Sequence, residues 1–379
     1  MWGRFALVAC FVFGPVSRAS AADTPTAVDA RPTRSSWPSF RGDPQLTGVS
    51  GSKLGPRLAV RWKFEAPEAI SSSAAIVDGV VYVGCCDEHL YALDLAKGGV
   101  KWKYRARAAV QSSPLVVGDR IVFGDEEGVV HALNRTSGQV VWTFETGGQV
   151  ISSPNHHLGR VLVGSYDGFL YCLSLDTGRL LWKYETDGYV HGSPGIARDC
   201  ALVVGCDERL HVVRLSDGQA ARTVALGSPS GTSPAIRDSR AFLGTYGSRV
   251  LAIDWQEGRI AWAFEDAERQ FPFLTSAALG EDAVIVGGRD KRLRSLNMET
   301  GKVDWIFAAK GRIDSSAVIV GERVFFGSSD GHLYALGIET GKELWRFEAG
   351  APITASPAVA AGCLVIGTED GILYCFGAQ

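Results

Sequence analysis

The chain has 379 residues, with 38 Lys and Arg against 41 Asp and Glu, a net charge of −3 and 46 % hydrophobic residues. This ordinary globular balance excludes disorder and collagen, and the slight acidic excess leaves no basic footprint for a nucleic-acid partner. Glycine occurs 45 times and methionine only twice; glycine recurring every few residues leaves little room for long helices, so an all-β fold is expected.

At the start of the chain, residues 5–13 (Phe-Ala-Leu-Val-Ala-Cys-Phe-Val-Phe) form an apolar run behind Arg4, followed by Gly14-Pro15 and Ala19-Ser20-Ala21. This is the layout of a secretory signal, and residues 1–21 are assigned to it. Leu7-Val8-Ala9-Cys10 imitates a lipoprotein box, but cleavage there would leave too short an apolar stretch before the cysteine. The run falls short of the ~20 residues of a membrane-spanning helix, and no later segment reaches that length, so no transmembrane helix is expected. Cleavage removes Cys10 and leaves an odd number of cysteines, which excludes a complete disulfide framework. Residues 22–57 make the N-terminal segment: 22–36 lack hydrophobic periodicity and are expected to be a flexible tether, and a lead-in begins at Trp37.

From residue 58 onward a period organises the chain. Tryptophan stands at 62, 102, 142, 182, 262, 305 and 345, Arg222 fills the vacant step, and the spacing is 40 everywhere except one step of 43. Four residues before each step from 102 onward lies a glycine: Gly98, Gly138, Gly178, Gly218, Gly258, Gly301 and Gly341. Within a unit, short β-branched and aromatic runs alternate with Gly-Asp or Asp-Gly turns, the signal of four antiparallel strands. Cys172 and Cys375 stand where equivalent runs carry Ala92, Ala132 and Ala335, so they read as small buried hydrophobes.

One such sheet cannot bury both its faces, so units must stack and the row must run on or close. The last unit stops after its third strand at 371–376, whereas residues 58–64 (Leu-Ala-Val-Arg-Trp-Lys-Phe) form a tryptophan strand without a preceding three. The first strand is therefore expected to complete the last sheet, making residues 58–379 an eight-bladed β-propeller with four-stranded antiparallel blades and no open end. A buried indole covers about 150–250 Å², worth at most about 4–6 kcal/mol at roughly 25 cal/mol per Å². Seven tryptophan wedges between blades are accordingly expected to dominate stability, and Trp182→Ala to cost far more than Trp37→Ala.

The pattern Ala92-x-Asp94-x-x-x-Gly98-x-x-x-Trp102, with Ala335, Thr340, Gly341 and Trp345 in the seventh unit, resembles the tryptophan-docking motif of pyrroloquinoline quinone (PQQ) repeat propellers. That superfamily includes quinoprotein alcohol dehydrogenases and the outer-membrane assembly protein BamB, both eight-bladed. The lead-in Trp37-Pro38-Ser39-Phe40-Arg41-Gly42-Asp43, with Thr47-Gly48 after it, is similar to the start of many exported bacterial PQQ-repeat proteins. The resemblance implies an exported protein, periplasmic or associated with the outer membrane. It speaks for fold more than for activity, because these motifs serve blade packing. Arg41-Gly42-Asp43 also spells an adhesion tripeptide and is read here as a plain turn.

For chemistry, the resemblance implies a quinone and a calcium ion in the central funnel of the dehydrogenases, with an Asp base, further oxygen ligands and cations for the quinone carboxylates. Calcium takes six to eight oxygens. Aligning the first residue of each innermost strand gives a funnel-mouth ring of Ser71, Gln111, Ile151, His191, Gly231, Leu274, Asp314 and Thr354. The ring holds one carboxylate and no Arg or Lys, and the chain has none of the long insertions that build the cofactor chamber in the larger enzymes. Ser71, Gln111, His191, Asp314 and Thr354 are the cofactor-binding candidates it offers. Cys85-Cys86 is the point in favour of an enzyme, because vicinal disulfides lie against the quinone in several of those dehydrogenases; the plainer reading is a pair of small turn residues, since the seventh unit has Ser328-Ser329 there.

No metal site is expected. His156 and His157 point to opposite faces of a strand, His89 and His332 follow turns on different blades, and the acidic turns at 125–128, 166–168 and 369–371 are too short to encircle calcium. No nucleophile elbow, phosphate loop or zinc spacing occurs. The connection 265–273 (Glu-Asp-Ala-Glu-Arg-Gln-Phe-Pro-Phe) is three residues longer than its counterparts and offers Phe271 and Phe273 as aromatic anchors for a partner, against packing of the rings into the blade interface. The preferred reading is a non-catalytic scaffold without cofactor that binds a protein of the bacterial envelope, BamB-like in assisting outer-membrane protein assembly. The runner-up is a PQQ- and calcium-dependent alcohol or sugar dehydrogenase.

Overall fold

The computed structural model describes residues 1–3 and 35–379; the apolar run 5–13, Cys10 and the tether up to residue 34 lie outside the described residues. Of the unit Met1–Ala30 only residues 1–3 are described, and they form no strand; Arg31–Gln379 is the second unit. Within it the strands make eight sheets, and among the described residues no helix is long and apolar enough to cross a membrane.

Blade one shows the common plan: strands Ala75–Val77, Val80–Gly84, His89–Asp94 and Val100–Arg105 follow one another antiparallel. The inner strands alternate buried residues on both faces, while the fourth strand exposes every second residue, as expected where each sheet lies between two neighbours. Blade eight is built from both ends of the chain. Its strands Ala358–Ala360, Cys363–Gly367 and Ile372–Ala378 are completed by Leu58–Glu65, with Trp62 opposite Cys375. The circle is closed, so no blade offers a free lateral partner.

In every blade the pairing of third and fourth strands slips by one residue just before the tryptophan position, as at Val140/Trp142 and between Cys172 and Leu173. Such a bulge bends the strand and re-aims the following side chain. Here it aims the indole at the next blade. Trp142 Nε1–H donates to the Leu175 carbonyl at 2.8 Å, and the ring lies on Gly178, where an added Cβ would sit 2.6 Å from it. The same dock forms from Trp62, Trp102, Trp182, Trp262 and Trp305. Glycine in the motif thus serves twice, through its positive φ and as the floor of its neighbour's indole.

Two of the eight seams depart from this plan. Arg222 lays its stem on Gly258 and donates from Nη1 to the Glu257 carbonyl at 3.1 Å, leaving a shallow outer cavity of about 330 Å³ beside Trp255 and Cys200. Trp345 has no docking turn to meet, because the last blade borrows its fourth strand, and it packs edge-on against Phe376 instead.

The lead-in is a plug. Its backbone runs around one end of the propeller and meets the inner edge of one blade after another. Trp37 exchanges both backbone bonds with Ile76, and the carbonyls of Pro38, Pro44, Gln45, Thr47 and Gly48 accept from Val116, Ile196, Ile236, Leu279 and Ile319. Asn155 in blade three donates to Pro44, and Ser50 donates to Val359 in blade eight. Seven inner edges, which would otherwise present unpaired N–H or C=O groups, gain a partner from the plug, and in blade three the Asn155 side chain takes the His156 N–H instead. Trp37 is 1 % exposed and its ring covers Gly42. This reverses the expected order of the two tryptophans, because Trp182 is only partly buried.

Arg41 is wholly buried and donates from Nη2 to the Ala277 carbonyl at 2.9 Å. Burial, opposed by the Asp43 charge, brings its guanidinium down to about 9. Arg41-Gly42-Asp43 is therefore an interior turn.

Candidate functional site

The end of the axis opposite the plug is open, and the floor of the opening is Phe40. Above it lies an axial well of about 230 Å³, and all eight residues of the aligned ring, Ser71 to Thr354, line its mouth. One layer deeper is a feature the aligned ring did not include: Ser73, Ser113, Ser153, Ser193, Ser233, Ser276, Ser316 and Ser356, one per blade. Each backbone N–H donates to the hydroxyl of the next serine at 2.8–3.2 Å, around to Ser356 and back to Ser73. All eight serines are buried. Each Oγ accepts in this belt, and among the described residues none is given an acceptor for its own proton. The signal was in the sequence, a serine two positions after every ring residue.

The carboxylates at the mouth are held either by guanidinium groups or by neutral hydrogen-bond donors. Asp314 lies between Arg289 and Arg312, 2.8 Å from each. Gln111 Nε2 donates to Glu126, and the Thr354 hydroxyl donates to Glu369. The two arginines correct the expectation of a mouth without cations: they sit on the turns, outside the innermost strands from which the ring was read. On the other half of the mouth the residues are aromatic. Tyr166 is hydrogen-bonded to His191 and stacks on Tyr189 with centroids 5.0 Å apart and planes 8° apart. Burial pushes the His191 imidazole below its ordinary range, so it is neutral at neutral pH. Tyr189 and Tyr246 are exposed.

The long connection continues this arc. Phe271 is 45 % exposed, whereas Phe273 is 2 % exposed, set edge-on to Phe264 and under the Arg294 guanidinium. Phe273 is thus corrected from a partner contact to a seam residue. It stands directly before the ring residue Leu274, where Ile70, Val110, Val150, Val190, Ile313 and Ile353 stand in other blades. Its N–H donates to Thr245, next to Tyr246, so Phe271 belongs to the same face as Tyr246.

Quinone and calcium do not fit these residues. Calcium needs six to eight oxygens, but the Asp314 carboxylate is engaged by two guanidinium groups. Glu126 and Glu369 belong to blades two and eight with blade one between them. Among the described residues no three His, Cys, Asp or Glu converge on a point. Cys85 and Cys86 are both free thiols. Cys85 donates to the Glu68 carbonyl, with burial pushing it up to about 12, and Cys86 lies 3.9 Å from the Ser71 hydroxyl.

Histidines serve the frame. In two seams a buried relay runs Tyr104–His131–Asp125 and Tyr184–His211–Asp207, a set the sequence reading missed. In three other blades the place is taken by Tyr91–Asp87, Tyr171–Asp167 and Tyr334–Asp330. The replacement of imidazole by phenol marks these as structural locks.

His156 Nε2 accepts from the Gly159 N–H at 3.0 Å, a bond only the neutral ring can make. Burial, followed by the neighbouring His157, brings it down from 6.5 to about 4. Between these values the unfolded chain binds a proton that the fold refuses, so stability present above pH 6.5 is lost as the pH falls. Urea unfolding of the wild type is expected to lose about 2–3 kcal/mol through this group between pH 7 and pH 4, at 1.36 kcal/mol per unit discounted for partial exposure. His156→Gln is expected to lose correspondingly less; parallel pH curves for the two proteins would contradict this.

The architecture is that of an eight-bladed, sequence-closed β-propeller with one end of its axis plugged and the other holding a hydroxyl-lined well. A family model described as outer membrane protein assembly factor BamB matches residues 59–157, 126–222, 201–316 and 307–379 in overlapping runs, and the chain belongs to this PQQ-repeat family. Among solved structures, BamB from Moraxella catarrhalis is similar at 17 % identity and a TM-score of 0.74, covering 85 % of this chain and 100 % of that one. A quinohemoprotein alcohol dehydrogenase from Comamonas testosteroni is similar at 14 % identity and a TM-score of 0.79, covering 92 % and 82 %. A europium-containing methanol dehydrogenase is similar at 14 % identity and 0.76, covering 92 % and 99 %. At such identities the likeness concerns the fold. No curated protein matches the chain.

Proposed function

We propose that the protein is a non-catalytic, protein-binding scaffold of the bacterial cell envelope, exported to the periplasm or held at the outer membrane, where it assists assembly of outer-membrane proteins without quinone or metal. The observation that carries this reading is the exposed aromatic arc of Tyr189, Tyr246 and Phe271 on the open face, beside a mouth whose carboxylates each have a side-chain partner. Exposed aromatics on a rigid frame supply binding energy at small entropic cost. The family description supports the choice of partner class.

The test is binding of an unfolded outer-membrane β-barrel polypeptide to the purified protein. Phe271→Asp combined with Tyr246→Asp is expected to weaken it at least about tenfold, the effect of losing one or two aromatic anchors, with an unchanged melting temperature. Equal binding by the variant would refute the arc. Saturable dye reduction on adding PQQ and calcium would replace this reading by a quinone-dependent alcohol or sugar dehydrogenase.

A further inference from the structure

Beyond that reading, we propose that the axial well is a binding site for a single neutral six-membered sugar ring, free or at the end of a glycan. The serine belt sets the chemistry. Eight buried hydroxyls line one level of the well, each already accepting a backbone N–H from its neighbour. What each has left to offer is its O–H proton, and buried donors without acceptors are costly. A guest suited to this level must carry oxygen acceptors all around its circumference. Its lower face must suit Phe40, an aromatic floor that accepts C–H groups and offers no hydrogen bond.

A saturated ring with equatorial hydroxyls meets both demands, because its oxygens point radially and its C–H groups axially. The cavity of about 230 Å³ lies below the ~300 Å³ where drug-sized sites begin, which limits the guest to one ring. Charge at the mouth narrows the class further. Asp314, Glu126 and Glu369 carry three negative charges against the two positive charges of Arg289 and Arg312, Glu126 and Glu369 being held only by the neutral Gln111 and Thr354, and the buried His191 stays neutral. An anionic guest would shed its hydration against this acidic excess without gaining an overall opposite charge. Tyr166 and His191 on one side, and Gln111 and Thr354 on the other, can meet the hydroxyls that reach above the belt.

The experiment is calorimetric and ligand-observed NMR titration of the full-length mature protein with methyl hexopyranosides, with neutral di- and tetrasaccharides, and with a uronic acid of the same ring size. The blocking variant is Gly231→Leu. A Cβ there meets first the Tyr246 hydroxyl at 3.1 Å, the movable end of a side chain, and the glycine has no positive φ, so the side chain can extend into the well without touching the belt. Saturable binding of a neutral sugar, lost at least tenfold in Gly231→Leu at unchanged melting temperature and weakened at least fivefold for the uronic acid, is the expected result. Binding by the hexopyranoside assigns the site to free sugars, and binding only by the longer chains assigns it to glycan ends. Failure of every neutral sugar to saturate, or binding indifferent to Gly231→Leu, overturns the proposal. So does a uronic acid that binds as well as its neutral counterpart. If Gly231→Leu melts early, Gln111→Ala on the rim takes its place, with the same criterion of weakened binding at unchanged stability. The polypeptide-binding test bears on the aromatic arc and is independent of these outcomes.

Discussion

Trp37→Ala is expected to destabilise the protein by about 3–5 kcal/mol, the range for removing a fully buried large aromatic, and by more than Trp182→Ala. Trp37 stands outside the forty-residue period, yet it is 1 % exposed and part of the core that joins blades one, seven and eight. Its backbone also begins the plug through its exchange with Ile76. Its removal uncovers Gly42 and loosens the anchor of the segment satisfying the inner edges. Trp182, by contrast, keeps one edge in solvent, so the area it removes from water is smaller and the loss about 2–3 kcal/mol. Trp37→Phe separates packing from hydrogen bonding: the Trp37 indole N–H meets no partner in the structure, so the smaller ring should restore much of the loss. Urea denaturation of the three variants checks this, and a Trp37→Ala midpoint at or above that of Trp182→Ala would contradict the plug's role.

The reason this order was hidden in the sequence is physical. A period reports what each blade must repeat, and it gave the strand plan, the borrowed closing strand and the ring at the axis, whose eight residues all reach the well. The plug meets eight different edges once each, so it has no reason to repeat, and its irregular backbone carries no periodic signature. The serine belt is legible as well, since Ser73 and its seven equivalents keep a constant offset from the ring, although serine next to Pro114, Pro154 or Pro194 fits turn chemistry equally. Arg289 and Arg312 were missed for a different reason. They reach the mouth from the turns, so a list of innermost-strand residues cannot contain them. Phe273, counted back from Leu274, occupies the valine or isoleucine place of the seam, the packing alternative weighed for that ring. The exposure of Phe271 is a property that no repeat specifies.

Gly178→Ala and Gly258→Ala are expected to differ, and the difference measures the tryptophan dock. Both glycines have positive φ, 68° and 79°, so both variants incur the backbone cost of about 1–2 kcal/mol for an L-residue in that region. The neighbours differ. An added Cβ at Gly178 meets the Trp142 ring at 2.6 Å, and that indole is held by its bond to the Leu175 carbonyl and by the core of the second seam. It cannot withdraw without losing both, so overpacking adds about 1–3 kcal/mol. At Gly258 the Cβ meets the Arg222 stem, a flexible chain whose guanidinium bond lies in solvent and whose side opens onto the outer cavity. Arg222 can swing away at little cost. Gly178→Ala should therefore unfold at a denaturant concentration below that of Gly258→Ala, with losses of about 2–5 and about 1–2 kcal/mol respectively, the sum of the two terms in the first case and the backbone term alone in the second. Equal losses would show that positive φ is the whole reason for glycine in the motif, and that the indole merely rests where the turn happens to leave room.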